Sequence, residues 1–351
     1  MNNKYKTATL FGMAHGLNDF IAGYLLANLS SHSSDIFTNS LAYLMYSVIA
    51  FGGQLPAGII VDKYKRIKPI ASICLLLLIL SISVSYASLF MAIFFSAITS
   101  AFIHVCGAAA CYVSDNKHYT LAGIFTSPGV IGLICGGILG SIDFNYFYLF
   151  ILPLVVLLLW LMYVEIPSYE NKKVNAHSSD TILDTHDMVM LLLLMTIAVR
   201  SLFWNVVHMM SFNQQTWLLV LGFSAGAGKL LGAIIADRVG WKKFMYVSII
   251  GAVICLNIDK SNIVLFGIGV FFLQSAVPIT LVLVQQYMKQ SPATAAGLCL
   301  GVLILFAGLP SYFHAFRQLQ THQHINVVLS ALFFLSNFCF LLMYQRKAKY
   351  Q

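Results

Sequence analysis

The amino-acid sequence predicts an all-α integral membrane protein in which twelve transmembrane helices form two pseudo-symmetric bundles of six. Three observations predict this fold class: the composition, the continuity of the apolar runs, and a repeat that relates the two halves. Of the 351 residues, 59% are hydrophobic and 9% are charged, whereas a soluble domain carries about 25% charged residues. The same figures exclude disordered, fibrous and disulfide-rich secreted proteins.

The apolar runs are continuous, as in residues 74–85 and 151–164. Strands of an outer-membrane barrel would instead alternate over segments of about 10 residues, so the spans are helices. A membrane helix needs about 20 apolar residues, which leaves room for about twelve spans in this chain. The predicted spans are residues 8–29, 41–61, 69–86, 89–112, 121–141, 145–165, 188–210, 214–236, 243–257, 262–287, 293–314 and 325–345.

One connection is longer and more polar than the others. Residues 166–187 hold two lysines and three aspartates between the sixth and seventh spans. This stretch predicts a cytoplasmic linker. It would join an N-terminal six-helix bundle, residues 1–165, to a C-terminal six-helix bundle, residues 188–351.

The basic residues test the topology independently. If both termini are cytoplasmic, sixteen of the twenty lysines and arginines fall in inner loops and tails, and only Lys260 and Arg317 fall outside. The remaining two, Arg200 and Lys229, lie within spans. So strong a positive-inside bias predicts an even number of helices with both ends cytoplasmic. The net charge of +8 then reflects orientation and attraction to lipid headgroups, and it does not indicate a nucleic-acid partner.

The two halves resemble each other at an almost constant offset. Residues 58–63 (GIIVDK) precede a basic loop after the second span, and residues 233–238 (AIIADR) do so after the eighth, 175 residues later. Residues 120–123 (TLAG) open the fifth span and residues 294–297 (TAAG) the eleventh, 174 residues later. Duplicated halves with parallel topology are typical of secondary transporters.

These loops resemble the signature of the major facilitator superfamily, G-x-x-x-D-[RK]-x-G-[RK]-[RK]. The first copy has lysine where the family has its second glycine, and its members are Gly58, Asp62, Lys63, Lys65 and Arg66. The second copy has alanine at the leading glycine, and its members are Ala233, Asp237, Arg238, Gly240, Lys242 and Lys243. The resemblance covers essentially the whole chain and implies two six-helix bundles around a central cavity.

By this resemblance, Asp62 and Asp237 belong to cytoplasmic gates, together with the basic residues Lys63, Arg66 and Arg238. A carboxylate beside helix N-termini is favoured by the helix dipole. The alternative is a charged loop that only sets topology.

Within the superfamily, the chain is most similar to the fosmidomycin-resistance-like branch of bacterial exporters. The short motifs that carry this resemblance are His15-x-x-Asn18-Asp19, Phe102-Ile-His104, Arg200-Ser201 and Gly228-Lys229. The branch implies a bacterial inner-membrane antiporter that works as an exporter.

Asp19 is the clearest acid within a span, and ionisable groups there are costly and usually face a cavity. His15, Asn18 and Asp19 stand at i, i+3 and i+4, so they share one helix face. These polar groups, with no small-residue cleavage site after them, also argue against a cleaved signal peptide. A carboxylate that alternates between settings can bind and release a proton, which His15 could share. The alternative is a polar cluster that ties helices together.

Arg200 lies in the seventh span, with Trp204 and His208 on roughly the same stripe. An arginine that cannot be neutralised needs a carboxylate, a carbonyl or an anionic ligand. Lys229 occupies the position in the second half that Gln54 occupies in the first. Two cations against Asp19 predict a cavity for an organic anion. The alternative is a fixed ion pair between Arg200 and Asp19, with Lys229 snorkelling inward.

His104 is a further cavity candidate, although a lone histidine on an apolar helix is more often a packing group. Gly132, Gly136 and Gly140 form a small-residue stripe, which we expect to pack between the two halves.

Other chemistry is weakly supported. His314, His322 and His324 gather near an outer loop, where a His-x-His pair can bind metal, but we predict no metal site and no cofactor. Phosphate-binding loops and hydrolase motifs do not occur in the sequence, so an ATP-driven pump is not expected.

We therefore predict a proton-coupled secondary transporter for a small organic anion, not an enzyme, acting as a monomer in the lipid bilayer. Asp19 and His15 would couple protons. The substrate would bind Arg200, Lys229, Asn18, His104, Trp204 and His208. Two other functions are open: a transport-fold sensor that binds without moving its ligand, and a membrane-embedded enzyme that modifies lipid.

Overall fold

The computed structural model describes residues 2–33, 35–142, 144, 146–167, 185–211, 214–259, 261–309 and 325–350. Within them the chain forms twelve helical segments, which we number α1 to α12. Their bounds are Asn3–His32, Ile36–Tyr64, Ile67–Ser85, Leu89–Ser114, Thr120–Gly140, Phe147–Tyr163, Thr185–Ser211, Gln215–Val239, Trp241–Ile258, Ile263–Tyr287, Pro292–Gly308 and Ile325–Tyr350.

Each segment overlaps one predicted span, so the all-α fold class is confirmed. Nine of the described helices are long and apolar enough to cross a membrane, namely α2 to α5, α7 to α10 and α12. Two more, α6 and α11, are shorter apolar helices. The first, α1, has 30 residues and contains the polar cluster of Asp19. Six segments precede the predicted linker and six follow it, and we call these groups the N-half and the C-half.

Several sequence predictions fall on residues that the structure does not describe. Residues 168–184, most of the predicted linker, lie outside the described part of the chain. So do the histidines near the predicted outer loop, His314, His322 and His324. The domain boundaries therefore stay a prediction.

The two ends of the described chain and the loops that follow Asp62 and Asp237 lie at one face, which we call the terminal face. Near the start of α1, Asn3 donates to the carbonyl of Glu165 after α6 at 2.7 Å. Near the end of α12, the amide of Gln345 donates to the hydroxyl of Tyr246 in α9 at 3.4 Å. An even number of antiparallel crossings returns the chain to this face.

Three helices that begin at the opposite face, α2, α4 and α10, have local side-chain caps. Asp35 accepts hydrogen bonds from two backbone N–H groups of α2, and Asn262 does the same for α10. Ser88 accepts one from α4. Such residues satisfy N–H groups that a helix start leaves unpaired. By contrast, α5 and α11 begin at the terminal face, and neither Tyr119 nor Ser291 caps them through its side chain.

The glycine stripe of α5 packs against α1, and the expectation that it lies between the halves is wrong. A Cβ atom at Gly132 would lie 2.1 Å from the carbonyl oxygen of Gly16, and one at Gly136 would lie 1.9 Å from that of Phe20. The physical reason is that α1 contributes its own glycines, so two small faces let the backbones approach. Both helices belong to the N-half, and the stripe fixes α1 beside the candidate site.

Two related helix pairs, α2 with α11 and α5 with α8, form much of the contact between the halves. At the first contact, a Cβ at Gly297 would lie 2.5 Å from the carbonyl oxygen of Gln54. At the second, a Cβ at Gly123 would lie 2.9 Å from that of Lys229. Gln54 and Lys229, equivalent in the sequence repeat, therefore occupy equivalent places at the interface between the halves.

Replacing Gly240 with alanine should lower the free energy of unfolding by about 1–3 kcal/mol, the cost of holding a residue that carries Cβ at a positive φ that glycine adopts readily. Gly240 has φ +90° and no atom within 4 Å of a built Cβ, so the loss would come from strain rather than collision. Thermal unfolding of the purified protein measures it. The motif position equivalent to Gly240 is Lys65, which adopts a φ of 55°.

Gly137→Ala is the matched control, because a Cβ there would meet its nearest atom at 4.0 Å inside a regular helix. It should leave stability unchanged or raise it by up to about 1 kcal/mol. Equal effects of the two substitutions would contradict the role given to the backbone of Gly240.

Candidate functional site

A buried polar cluster forms where α1 packs against α4 and α5. The Nε2 atom of His15 lies 3.1 Å from Oδ2 of Asp19. The Nε2 atom of His104 lies 3.9 Å from the same oxygen, and Asn18 donates to Oδ1 of Asp19 at 3.0 Å. The structure thus brings together four candidate residues from two helices. The sequence spacing predicted that three of them share a face, and α4 supplies His104.

Backbone carbonyl groups fix both imidazole rings. The Nδ1 atom of His15 lies 2.9 Å from the carbonyl oxygen of Phe125, and that of His104 lies 2.7 Å from the carbonyl oxygen of Ser100. Because a carbonyl oxygen only accepts, each Nδ1 carries the hydrogen and donates it. In a neutral ring, each Nε2 then presents a lone pair on the side of Asp19. This assignment of hydrogens follows from the hydrogen-bond partners.

The position of His15 depends on a glycine in α5. A Cβ atom at Gly129 would lie 2.1 Å from Nε2 of His15, so only glycine leaves room for the ring. The same ring contacts Phe125 at 4.9 Å and His104 at 4.3 Å between centroids. The imidazole of His15 is therefore held on three sides.

The two cations within spans come from the C-half. Arg200 on α7 is 5% exposed, and its Nη1 donates to Oγ1 of Thr280 on α10 at 2.9 Å. Lys229 on α8 donates to the carbonyl oxygen of Thr126 on α5 at 3.4 Å, so it reaches across to the N-half. Sequence reasoning did not identify Thr280, because a threonine in an apolar span gives no signal.

Arg200 and Asp19 do not form an ion pair with each other in the described structure, so the fixed pair considered from the sequence is not formed in this conformation. The described ionisable partners of Asp19 are His15 and His104. Arg200 donates instead to a hydroxyl in its own half, that of Thr280. The ammonium group of Lys229 lies within electrostatic range of both Asp19 and Arg200. It therefore interacts with one charge from each half.

Other candidates lie on the same stripe of α7. The rings of Trp204 and His208 stack with 6.1 Å between centroids and an angle of 20°. In the described part of the chain, several buried side-chain polar atoms make no hydrogen bond, among them Oδ1 of Asn18, Oε1 of Gln54 and Nδ2 of Asn205. Buried polar atoms are normally paired, so these three are available to a ligand.

Two aspartates join the halves at the terminal face. Asp62, near the end of α2, accepts hydrogen bonds from the backbone N–H of Ala293 at 3.1 Å and of Thr294 at 2.7 Å. It also accepts one from the hydroxyl of Thr294 at 2.6 Å. Both partners lie in the first turn of α11, in the other half.

The second aspartate repeats this arrangement in the opposite direction. Asp237, near the end of α8, accepts from the backbone N–H of Tyr119 at 2.8 Å and of Thr120 at 2.9 Å, and from the hydroxyl of Thr120. Each aspartate therefore caps a helix of the other half, and that helix has no side-chain cap from its own half. We call these two sets of contacts, Asp62 with Ala293 and Thr294, and Asp237 with Tyr119 and Thr120, the aspartate clasps.

The basic residues of the same motifs are exposed. Lys63, Arg66 and Arg238 all lie on the surface of the terminal face. The ammonium group of Lys63 stands over the ring of Tyr64, 5.8 Å from its centroid. The structure brings none of these three into the buried cluster of Asp19.

A third polar contact lies beside the second clasp. The ammonium group of Lys4 is 2.7 Å from Oδ2 of Asp115, in the connection between α4 and α5. Burial raises the pKa of Asp115, but the hydrogen bonds from Lys4 and from the backbone N–H of Lys117 outweigh it and hold this pKa at about 2. Asp115 is therefore charged throughout the physiological range, and it ties the start of α1 to the terminal face.

A family model described as Major Facilitator Superfamily matches residues 8–298 of the chain. A search of curated protein sequences gives no significant match.

Two similar solved structures are of FucP. The fucose:proton symporter of E. coli, in a variant form, has a TM-score of 0.73 and 12% identity, with 96% of this chain and 97% of that chain covered. FucP in the outward conformation has a TM-score of 0.72 and 12% identity, with 97% of each chain covered.

A third similar structure is that of the nucleoside transporter NupG. It has a TM-score of 0.54 and 13% identity, and the match covers 97% of this chain and 98% of that one. At these identities the likeness shows the fold alone.

Proposed function

The chain belongs to the Major Facilitator Superfamily, and from this premise we propose that it is a secondary active transporter that moves a small organic anion across the bacterial inner membrane. Transport would use alternating access between the two halves and be driven by protons. The resemblance to the fosmidomycin-resistance-like branch favours antiport and export. Both termini would be cytoplasmic, and the monomer would suffice for transport.

One observation carries the anionic character of the substrate. Lys229 lies within electrostatic range of Arg200 and of a single carboxylate, Asp19. With neutral histidines this leaves an excess of one positive charge among the groups within the spans. A charge inside a membrane protein is costly unless it is compensated, and an anionic solute would compensate this one. Trp204 and His208 would flank it from α7, and the free acceptor of Asn18 could receive a hydroxyl.

The proposed coupling acid is Asp19, with His15 as its partner. The two groups are 3.1 Å apart, so one proton can be shared between them. The equilibrium position of that proton depends on how close a cation or an anionic solute stands. Lys229, within electrostatic range of Asp19, belongs to the other half and changes its distance when the halves move. Movement of the halves would thereby change proton affinity.

The aspartate clasps are proposed as the gates. The clasps of Asp62 and Asp237 connect the halves at the terminal face, and alternating access requires that such contacts break and re-form. Lys63, Arg66 and Arg238 would hold the loops against anionic headgroups beside them.

Ligand-dependent thermal unfolding tests the proposed substrate class. The purified protein is heated with a panel of organic anions, organic cations and neutral compounds, at pH 6 and pH 8. A ligand at a hundredfold excess over its Kd stabilises the folded state by about 2.7 kcal/mol. We expect stabilisation by particular anions, which Arg200→Gln removes. Lys243→Gln, which removes an exposed positive charge at the terminal face, should leave it intact.

Stabilisation by cations or neutral compounds that survives Arg200→Gln would contradict the proposed substrate class. Anions that stabilise are then tested for flux in proteoliposomes. Binding without flux would identify a sensor, and turnover of a lipid without a sealed compartment would identify an enzyme.

A further inference from the structure

We propose that His15, Asp19 and His104 form a binding site for a divalent first-row transition-metal ion of the zinc type, within the membrane. One ligand atom from each of the three side chains lies within 4.8 Å of the other two. All three side chains are buried, and they come from α1 and α4. The inference does not rest on transport, because the site is defined by ligand geometry alone.

The hydrogen bonds of the two imidazole rings fix the direction of their lone pairs. Each histidine donates its Nδ1 hydrogen to a backbone carbonyl group, that of Phe125 for His15 and that of Ser100 for His104. Histidines that ligate metals characteristically donate their other ring hydrogen in this way, which fixes the ring and raises its basicity. Both Nε2 lone pairs are thereby left for an ion on the side of Asp19.

A hydrogen bond from Asn18 positions the carboxylate of the cluster. Asn18 donates to Oδ1 of Asp19 at 3.0 Å, which orients the group and leaves Oδ2 on the side of the two imidazoles. Its role matches that of the outer partners that position ligating carboxylates in metal sites. The cluster therefore has three electron-pair donors that converge and a surrounding set of hydrogen bonds that holds each one.

The distances from the carboxylate to the two imidazoles are close to those of a tetrahedral zinc site. Zinc binds nitrogen and oxygen at about 2.0–2.2 Å in tetrahedral sites, which places neighbouring ligand atoms about 3.4 Å apart. The distance from Oδ2 of Asp19 to Nε2 is 3.1 Å for His15 and 3.9 Å for His104. The ligand atoms of the two histidines lie within 4.8 Å of each other, so binding of the ion requires the two imidazoles to approach. Three protein ligands leave a fourth position open, as in catalytic zinc centres.

The donor set selects the class of ion. Two imidazoles and one carboxylate suit zinc, cobalt, nickel, copper or iron, whereas magnesium and calcium prefer oxygen ligands. The ammonium group of Lys229 is within electrostatic range of both His104 and Asp19, and it opposes a dication. We therefore expect binding in the micromolar range, and we expect Lys229→Gln to tighten it about tenfold, because one unit of opposing charge is removed.

The experiment measures metal binding to the full chain in detergent, where no flux is possible. Metal-free protein is titrated with Co²⁺, whose visible absorption reports a site with nitrogen and oxygen ligands, and Zn²⁺ is then added in competition. The parent for this work carries His322→Ala and His324→Ala, which remove the His-x-His pair. We expect one Co²⁺ per chain, and about a hundredfold weaker binding in His15→Ala.

His104→Gln is the second test variant, since glutamine keeps a polar side chain in the cavity and should preserve the fold. Its Co²⁺ affinity should fall at least tenfold. The matched control is His118→Ala. His118 also pairs with a carboxylate, Asp115, at 3.0 Å, but at the exposed terminal face, and its removal should change nothing.

Absence of a Co²⁺ spectrum in the parent would overturn the proposal. So would a spectrum that persists in both His15→Ala and His104→Gln, or one that disappears in His118→Ala alone. None of these results bears on the anion-binding test with Arg200→Gln, so the metal site and the proposed function can fail separately.

Discussion

Replacing Asp19 with asparagine should abolish the coupling of solute flux to a proton gradient while solute exchange continues. A gradient of two pH units is worth about 2.7 kcal/mol for one proton, which sustains a solute concentration ratio of about 100 across a sealed membrane. Without an acid that binds and releases the proton, the ratio should fall to about 1. Proteoliposomes with an imposed pH gradient measure this ratio, and exchange of labelled solute at equal pH measures the uncoupled movement.

Asparagine is a suitable replacement because its amide can still donate to Nε2 of His15, which lies 3.1 Å from the carboxylate. The matched control is Asp35→Asn. Asp35 caps α2 at the exposed opposite face, and asparagine is an equally good cap, so both coupling and exchange should survive. If Asp19→Asn retains the full concentration ratio, the coupling acid lies elsewhere. If it loses exchange as well, Asp19 belongs to the solute site instead.

Much of the fold could be predicted from the sequence, because the signals are local. A run of about 20 apolar residues specifies a span whatever surrounds it, and the helices lie where the twelve runs placed them. The face shared by His15, Asn18 and Asp19 is equally local, since spacing along one helix decides it. The repeat of 174–175 residues likewise identified Gln54 and Lys229 as equivalent, and their matching contacts agree with it.

Contacts between helices could not be predicted in the same way. The glycines of α5 indicated a close helix contact but not which helix makes it, and the matching glycines of α1 decide that. Complementary charge offered Asp19 as one possible partner of Arg200, whereas the structure gives Arg200 a hydroxyl on a neighbouring helix, that of Thr280. A threonine carries no charge and leaves no pattern in an apolar run.

The sequence also did not predict that each aspartate clasp joins one half to the other. The repeats placed Asp62 and Asp237 in one class and Thr120 and Thr294 in another. They did not show that each aspartate meets the threonine of the opposite half. The absence of local side-chain caps at α5 and α11 explains this pairing. Only the structure shows where these helices begin and which residues lie beside their first turns.

Breaking both clasps should shift the protein toward a state that is open at the terminal face. Each aspartate accepts three hydrogen bonds from the other half. A hydrogen bond to a charged group contributes about 1.5–3 kcal/mol, and a loss of about 2.7 kcal/mol changes a two-state ratio about a hundredfold. We therefore expect the double variant, Asp62→Ala with Asp237→Ala, to raise the ratio of open to closed protein at least a hundredfold. Each single variant should give an intermediate effect.

Native cysteines report the change. Cys299 lies on α11, is 2% exposed and stands within electrostatic range of Arg200, so separation of α11 from α2 should make it reachable by a soluble maleimide. Cys74 is 3% exposed on α3 within the N-half and should stay protected, which controls for general unfolding. Mass spectrometry gives the labelling rate of each.

Thr294→Val is the graded control for the clasps. It removes the hydroxyl that donates to Asp62 at 2.6 Å but keeps both backbone donors, so it should accelerate labelling of Cys299 far less than Asp62→Ala does. An unchanged rate at Cys299 in the double aspartate variant would mean that other contacts hold the terminal face shut. The aspartates would then be helix caps alone, since bonds that persist in both states cannot bias the equilibrium between them.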